Sequence, residues 1–168
     1  MGLVWALLGV SACTQPPPAV SPAPPPASSA PSAPAPAPPL RQLVWREAAA
    51  QGALPLQVQQ AAQEAQERGQ RLLVYVGASW CEPCRYFHDA ALRGELDGLL
   101  GPLTVLAYDA DRDGDRLAAA GYQSKMIPLL AVPAPDGRCS GKLLQGSIKG
   151  PGAVADLVPR VRQLLGSP

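Results

Sequence analysis

Residues 71–84, RLLVYVGASWCEPC, join an apolar run to a pair of cysteines. The run Leu72–Val76 is nearly continuous and ends at Gly77, a pattern that predicts a strand covered on both faces. Cys81 and Cys84 follow, with two residues between them. Such a pair serves as a redox couple, as half of a metal site or as a structural disulfide, and the surrounding sequence has to distinguish among the three.

Helices are predicted on both sides of this segment. Residues 55–68 are rich in Ala, Gln and Glu. They open with proline and are followed by glycine, which are common residues at the start and just after the end of a helix. Residues 85–100 carry apolar side chains at helical spacing, although Gly94 and Gly98 weaken that pattern. Residues 42–50 are ambiguous between an edge strand and the start of a helix.

The second half of the chain alternates strands and helices. In chain order the patterns predict a strand over 103–108, a helix over 111–120 capped by Asp113 or Asp115, a strand over 129–132, a turn at 135–137, a strand over 142–145 and a helix over 153–165 kinked at Pro159. Strands separated by helices imply parallel crossovers, and the closing hairpin adds an antiparallel edge. The order therefore predicts an α/β fold with a mixed sheet.

The position of the two cysteines between a strand and a helix suits thiol chemistry. Free N–H groups and the positive end of the helix dipole stabilise a thiolate at a helix start, so the first cysteine becomes the better nucleophile. The second cysteine, one turn further in, can attack a mixed disulfide and release the partner. The pattern favours a redox pair over a structural disulfide, because so short a loop gains little from cross-linking.

The motif WCEPC at residues 80–84, directly after a strand, resembles the active-site motif of the thioredoxin superfamily. A second marker of that superfamily is a cis-proline before the strand that follows the third helix, and Met126-Ile127-Pro128 stands at that place. The resemblance covers residues 70–165 and is greatest to the thioredoxin-like domains of bacterial envelope disulfide reductases. It implies a thioredoxin-like fold with a central mixed sheet of about four to five strands, flanked by helices.

The resemblance also implies roles for individual residues. Cys81 is expected to be the nucleophile and Cys84 the resolving cysteine. The partner is expected to bind at five further residues: Trp80, Glu82, Pro83, Ile127 and Pro128. The implied activity is thiol-disulfide oxidoreductase, reducing disulfides of partner proteins without a bound cofactor, because the two sulfurs carry the electrons. The implied partners are disulfide- or dithiol-bearing envelope proteins and an upstream redox partner, with the protein itself a monomer.

Three positions depart from the superfamily pattern. Tyr75 stands where thioredoxin has a buried aspartate that helps to deprotonate the second cysteine, so that proton acceptor is missing or supplied by another group. Glu82 lies beside Cys81 and is expected to oppose its ionisation slightly. Asp89 replaces the proline that usually kinks the active-site helix. These departures leave open the direction in which electrons flow.

Two other functions are compatible with the same residues. Cys81, Cys84 and His88, with Cys139 as a fourth ligand, form a candidate copper or zinc site of a metal carrier. Alternatively, the domain keeps the fold as a redox-inactive binding module. Haem attachment is excluded, because Arg85 stands where the C-x-x-C-H motif needs histidine. Cys139 itself is either a free surface thiol, a site for an intermolecular disulfide or incidental.

The N-terminal segment predicts export and anchoring. Residues 1–12 resemble a secretory signal, and Val10-Ser11-Ala12-Cys13 resembles the bacterial lipobox, in which the cysteine becomes lipidated. No Lys or Arg precedes the apolar run, so either the natural start lies upstream or the signal is weak. The alternative is a short apolar N-terminus with an incidental cysteine.

Residues 13–39 predict an extended tether, because they hold 12 of the chain's 21 prolines and no charge. Roughly 26 such residues reach ~80 Å from a membrane surface. The folded domain is then expected over residues 40–168, on the periplasmic side of the cell envelope, where thiols can be oxidised. A net charge of +1 and the lack of a Lys/Arg run argue against nucleic-acid binding.

Overall fold

The structure, a computed structural model, describes residues 42–166. The predicted signal (1–12), the candidate lipid anchor Cys13 and the predicted tether (13–39) lie outside the described residues. Within residues 42–166, every helix is too short or too polar to span a bilayer.

Five strands and four helices make up the described part of the chain. In chain order they are β1 (Leu43–Glu47), α1 (Leu54–Glu67), β2 (Arg71–Gly77), α2 (Glu82–Arg93), β3 (Leu103–Asp109), α3 (Ala110–Ala119), β4 (Leu129–Pro133), β5 (Cys139–Gln145) and α4 (Ala153–Leu164).

The strands form one open, mixed sheet in the order β1-β3-β2-β4-β5. The first three spatial neighbours run parallel, whereas β4 pairs antiparallel with β2 and β5 pairs antiparallel with β4. This arrangement is the thioredoxin-like α/β fold that the sequence predicted, with a five-stranded sheet flanked by helices.

The sheet separates two layers of core because side chains alternate along each strand. On β2, Leu73 and Tyr75 point to the face that α2 and α4 cover, whereas Val74 and Val76 point to the face that α1 and α3 cover. The near-continuous apolar run of β2 reflects this burial on both sides. Cys81 and Cys84 both belong to the α2/α4 layer.

Several element boundaries differ from the sequence prediction. The ambiguous segment 42–50 contains β1, which pairs parallel with β3. Helix α2 ends at Arg93 rather than near residue 100, because Gly94 takes a left-handed φ of 79° and closes the helix. Leu96 and Leu100 nevertheless remain buried, so their apolar spacing reflected burial and not a longer helix.

Two further predictions of local structure were wrong in detail. Strand β5 begins at Cys139, three residues before the predicted start, because Pro133 of β4 is already aligned with Cys139 across the antiparallel pair. The cap of α3 is Asp109 rather than Asp113 or Asp115. Asp109 serves because α3 begins directly after β3, so that no acidic loop intervenes.

Candidate active site

Cys81 and Cys84 form a disulfide at the start of α2, with their Cα atoms 5.2 Å apart. Cys81 is the N-cap residue, and its Sγ accepts a hydrogen bond of 3.3 Å from the backbone N–H of Cys84. The helix begins where Gly77–Trp80 lead out of β2, and proline in its first turn suits a helix start. Strand, loop and helix together place both sulfurs at the end of the helix where a thiolate is best stabilised.

The two cysteines line different cavities. Cys81 lines a groove of about 490 Å³, whereas Cys84 lines a second cavity of about 280 Å³. Only 4 % of Cys81 and 2 % of Cys84 is exposed. A partner that occupies the groove therefore lies beside Cys81, while Cys84 sits behind it.

The groove runs between two walls that are far apart in sequence. One wall is residues 80–83, at the start of α2, and the other combines residues 125–127 with Gly146, Ser147 and Lys149. The Ile127–Pro128 peptide bond is cis, Ile127 lines the groove, and Pro128 follows it as a buried residue. The structure thus assembles at one groove Trp80, Cys81, Glu82, Pro83 and Ile127, all of them proposed from sequence; their roles stay predictions.

The second wall is held by hydrogen bonds between its two segments and to α4. The backbone N–H of Gly146 donates to the carbonyl of Pro128 at 2.8 Å. Arg160 on α4 donates to the carbonyls of Gly146 and Gln145 at 2.9 and 3.1 Å and also pairs with Asp156. These hydrogen bonds therefore tie the wall to α4.

Trp80 stands on the rim of the groove, with 67 % of its surface exposed. Its indole N–H donates to the carboxylate of Asp111, at the start of α3, with a distance of 2.8 Å. The side chain therefore lines the groove and is not packed beneath the active-site loop. The hydrogen bond to Asp111 was not anticipated from the sequence, because the two residues meet only through the parallel pairing of β2 with β3.

Tyr75 occupies the inner side of the site, below Cys84. Its hydroxyl donates to the backbone carbonyl of Cys84 at 3.2 Å, and its ring packs edge-on against Trp45 and stacks on Phe87. Burial, with a smaller contribution from the charge of Glu47, raises the pKa of Tyr75 far above its ordinary range. The phenol is therefore a neutral donor and cannot act as the proton acceptor that a carboxylate would provide at this position.

The cavity beside Cys84 is lined by two carboxylates, those of Glu47 and Asp109. Glu47, the last residue of β1, lines it together with His88 and Arg85. Trp45 donates to Glu47 at 2.7 Å. No local motif marks Glu47, because its place beside the cysteines depends on β1 joining the sheet next to β3.

The metal ligands proposed from the sequence, Cys81, Cys84, His88 and Cys139, are not assembled into a site among the described residues. Within the part of the chain that the structure describes, no group of three or more His, Cys, Asp or Glu side chains is arranged to hold a metal ion. His88 packs edge-on against Trp45 and its Nδ1 lies 3.2 Å from the carboxylate of Asp89. Cys139, a partly exposed free thiol, packs against the α1/α3 layer, on the opposite side of the sheet from Cys81 and Cys84.

Comparison with known proteins finds a similarity in the central part of the chain. Residues 53–132 match a family described as thioredoxin-like, and this range includes both cysteines and Pro128. Among solved structures, chloroplastic thioredoxin z is similar, with 22% sequence identity, 64% of this chain and 89% of that chain covered, and a TM-score of 0.39. A search of curated proteins found no significant match.

Proposed function

We propose that this chain, which contains a thioredoxin-like domain, is a thiol-disulfide oxidoreductase of the bacterial cell envelope that reduces disulfides of partner proteins. The thioredoxin-like fold with a CxxC pair at disulfide distance supports the oxidoreductase activity. The observation that carries the proposal is the unequal placement of the pair: Cys81 lines the partner groove and Cys84 lies behind it.

The placement of the two sulfurs supports the following order of steps. In the reduced protein, the Cys81 thiolate attacks one sulfur of the partner disulfide, a Cys81–partner bond forms, and the other partner sulfur leaves with the electron pair and takes a proton. The Cys84 thiolate then attacks Cys81 Sγ, so that the Cys81–Cys84 bond forms and the second partner sulfur leaves. The partner gains two electrons and two protons, and an upstream dithiol restores them to the protein.

Binding and positioning are assigned to the groove. Trp80, Glu82, Pro83, Ile127 and Pro128 are proposed to hold an extended partner chain against Cys81, as the thioredoxin resemblance implies. Ile127 and Cys81 line the same groove, which supports this assignment. No bound cofactor enters the proposed reaction, because the two sulfurs carry the electrons.

The test uses single-cysteine variants in an insulin-reduction assay. Cys81→Ser should abolish turnover, because the nucleophile is lost. Cys84→Ser should form mixed disulfides with substrate that persist on a non-reducing gel, because no resolving thiol remains. Cys139→Ser, a matched control on the other side of the sheet, should keep full activity. Undiminished insulin reduction by the Cys81→Ser variant would refute the proposal.

The direction of electron flow is tested by the reduction potential of the Cys81–Cys84 pair in glutathione buffers. A reductase is expected to have a potential toward the thioredoxin value of about −270 mV, because it must give electrons to partner disulfides. A value close to about −120 mV would instead identify an oxidant of the DsbA kind.

The envelope location is proposed from residues 1–39, outside the described structure. Lipidation of Cys13 would anchor the domain, and the proline-rich tether would let it reach partners away from the membrane. Labelling with a radioactive fatty acid in a bacterial host should mark the wild-type protein. Cys13→Ala should lose the label and leave the membrane fraction; equal labelling of both proteins would contradict the anchor.

A further inference from the structure

We propose that the groove beside Cys81 selects partner segments in which the reactive cysteine is flanked by a carboxylate and an apolar side chain. The inference rests on the proposed function and names the chemistry of its partner. Its occupant is a short extended segment of a disulfide-bearing protein. The inference is based on the charged side chains and the exposed apolar side chains around the groove.

Two lysines give one wall of the groove a positive charge. This wall, formed by residues 125–127 with Gly146, Ser147 and Lys149, is called the lysine wall below. Lys125 precedes Met126, and Lys149 follows Ile148; both lysines line the groove, and both are exposed. Neither forms an ion pair with any carboxylate among residues 42–166. An unneutralised pair of ammonium groups on one wall is complementary to a carboxylate on the bound chain.

The acidic groups near the groove do not cancel this charge. Glu82 is the single carboxylate that lines the groove among the described residues, and it lies on the opposite wall, next to Cys81. Asp111 is engaged by the indole of Trp80, and Asp156 pairs with Arg160. A partner carboxylate is therefore attracted to the lysine wall and repelled from the Glu82 wall, which also orients the bound chain.

Apolar side chains form an exposed rim around the same groove. Trp80, Met126 and Ile148 are 67 %, 55 % and 55 % exposed, and they stand on or next to the groove-lining segments. Half of the six large hydrophobic side chains exposed among the described residues thus gather here. A cluster of exposed apolar groups rimmed by charge is typical of a protein-binding surface.

The backbone segments that carry the two lysines are held in place by packing and by hydrogen bonds. Met126 packs against Gly146, where an added Cβ would lie 3.4 Å from the Met126 Cβ. The hydrogen bonds of Gly146 to Pro128 and of Arg160 to Gly146 hold the two segments together and to α4. A rigid, prepositioned wall favours selection among partners because little ordering is needed on binding.

Binding is measured with non-reactive peptides, so that it does not depend on turnover. Three peptides have serine in place of the reactive cysteine and leucine on one side of it, and they carry Asp, Asn or Lys on the other side. The indole N–H signal of Trp80 reports binding to the oxidised full-length protein by NMR titration. We expect the acidic peptide to bind about fivefold more tightly than the basic one at low salt, with the difference shrinking at about 0.5 M salt.

Charge variants show whether the two lysines cause the preference. The double variant Lys125→Gln/Lys149→Gln should make the acidic and basic peptides bind equally. Lys142→Gln removes an exposed lysine of β5 that lines a different cavity, and it should retain the wild-type preference. Equal binding of the three peptides to the wild type, or a preference that survives in the double variant, would overturn the inference.

Reduction of the matching cysteine peptides, offered as disulfides, separates this inference from the proposed function. Higher kcat/KM for the acidic peptide supports both. A charge preference in binding with no reduction of any peptide supports the inference and overturns the oxidoreductase proposal. Reduction of all three peptides at one rate, with equal binding, overturns the inference and leaves the proposed function standing.

Discussion

Tyr75 shows how one residue can alter the inner side of a dithiol site. Thioredoxin carries a carboxylate at this position, whereas here a phenol donates to the backbone carbonyl of Cys84. Because burial raises the pKa of Tyr75, its phenol stays neutral over the working pH range. The same phenol holds the backbone of the first helical turn through this hydrogen bond. Tyr75 therefore has a positioning contact with the site and no capacity to take the proton of Cys84.

The packing of Tyr75 depends on the absence of a side chain at Gly77. A Cβ added at Gly77 would meet the Tyr75 hydroxyl and lie 2.7 Å from its Cε1, and the ring is confined by Trp45 and Phe87. We therefore predict that Gly77→Ala lowers the free energy of unfolding by about 1–3 kcal/mol, since an overpacked core must shift. Urea unfolding followed by circular dichroism gives this value.

Two comparisons make the Gly77 prediction specific. The cost of Gly77→Ala should fall in a Tyr75→Ala background, because the two residues are in contact. Gly114→Ala, on the exposed side of α3 with no heavy atom within 4 Å of the added Cβ, should instead stabilise by roughly 0.5–1 kcal/mol. A Gly77→Ala protein as stable as the wild type would contradict the packing argument.

At the scale of the element, α3 is held at its start by reciprocal capping. Asp109 accepts the backbone N–H groups of Asp111 and Arg112, both at 2.9 Å, while Asp113 accepts the N–H of Asp109 at 3.1 Å. This arrangement resembles a capping box, with aspartate at the fourth helical position in place of glutamate at the third. Since Asp111 binds the indole of Trp80, the start of α3 also supports the rim of the groove.

Asp113 is the buried charge of this network, and its loss should be costly. Its side chain is fully buried and pairs with Arg112 and Arg116, each at 2.8 Å. Asp113→Asn should destabilise the domain by roughly 3 kcal/mol, because two cations lose their buried partner. The midpoint of urea unfolding measures the loss.

Asp115, exposed on the same helix, supplies the matched control. Asp115→Asn should change stability by no more than about 0.5 kcal/mol, as is usual for surface substitutions. If the two variants were equally stable, the ion pairs of Asp113 would be surface-like in strength and the network would not anchor α3.

At the scale of the whole molecule, the sheet separates two layers that each bury a tyrosine hydroxyl. Tyr75 lies in the α2/α4 layer, while Tyr108 and Tyr122 lie in the α1/α3 layer. Each hydroxyl has a partner; Tyr108 donates to Gln57 and Tyr122 to the carbonyl of Gly137. Burial raises the pKa of Tyr108 to about 12 and that of Tyr122 further.

These raised pKa values predict an alkaline limit to stability. The folded pKa lies above the unfolded value of about 10, so the stabilisation is complete below pH 10 and is lost as the pH rises toward 12 and beyond. The free energy of unfolding should therefore fall with pH above about 10. Tyr108→Phe should flatten this fall when urea unfolding is compared at pH 9, 10 and 11. If the free energy of unfolding fell equally steeply with pH in the wild type and in Tyr108→Phe, the prediction for Tyr108 would be contradicted.

Most elements of the fold could be predicted because their signals are local. The apolar run of β2, the glycine after α1 and the stripe of α4 are read from consecutive residues, so strand and helix order followed from them. The end of α2 was missed, because Leu96 and Leu100 keep a helical spacing while they are buried from a turn beyond Gly94. The spacing of apolar residues indicates which side chains are buried. A glycine at positive φ can end a helix without changing that spacing.

Some features of the candidate site could likewise be predicted from the local sequence, whereas others could not. Consecutive residues determined that Cys81 and Cys84 open a helix after a strand, and that Pro128 precedes β4. Only the tertiary structure decided that Cys81 and Cys84 line different cavities, that Glu47 lines the cavity of Cys84, and that Lys125 and Lys149 share a wall. The physical reason is that each of these neighbours comes from a segment tens of residues away. Sheet order, not local pattern, brings such segments together.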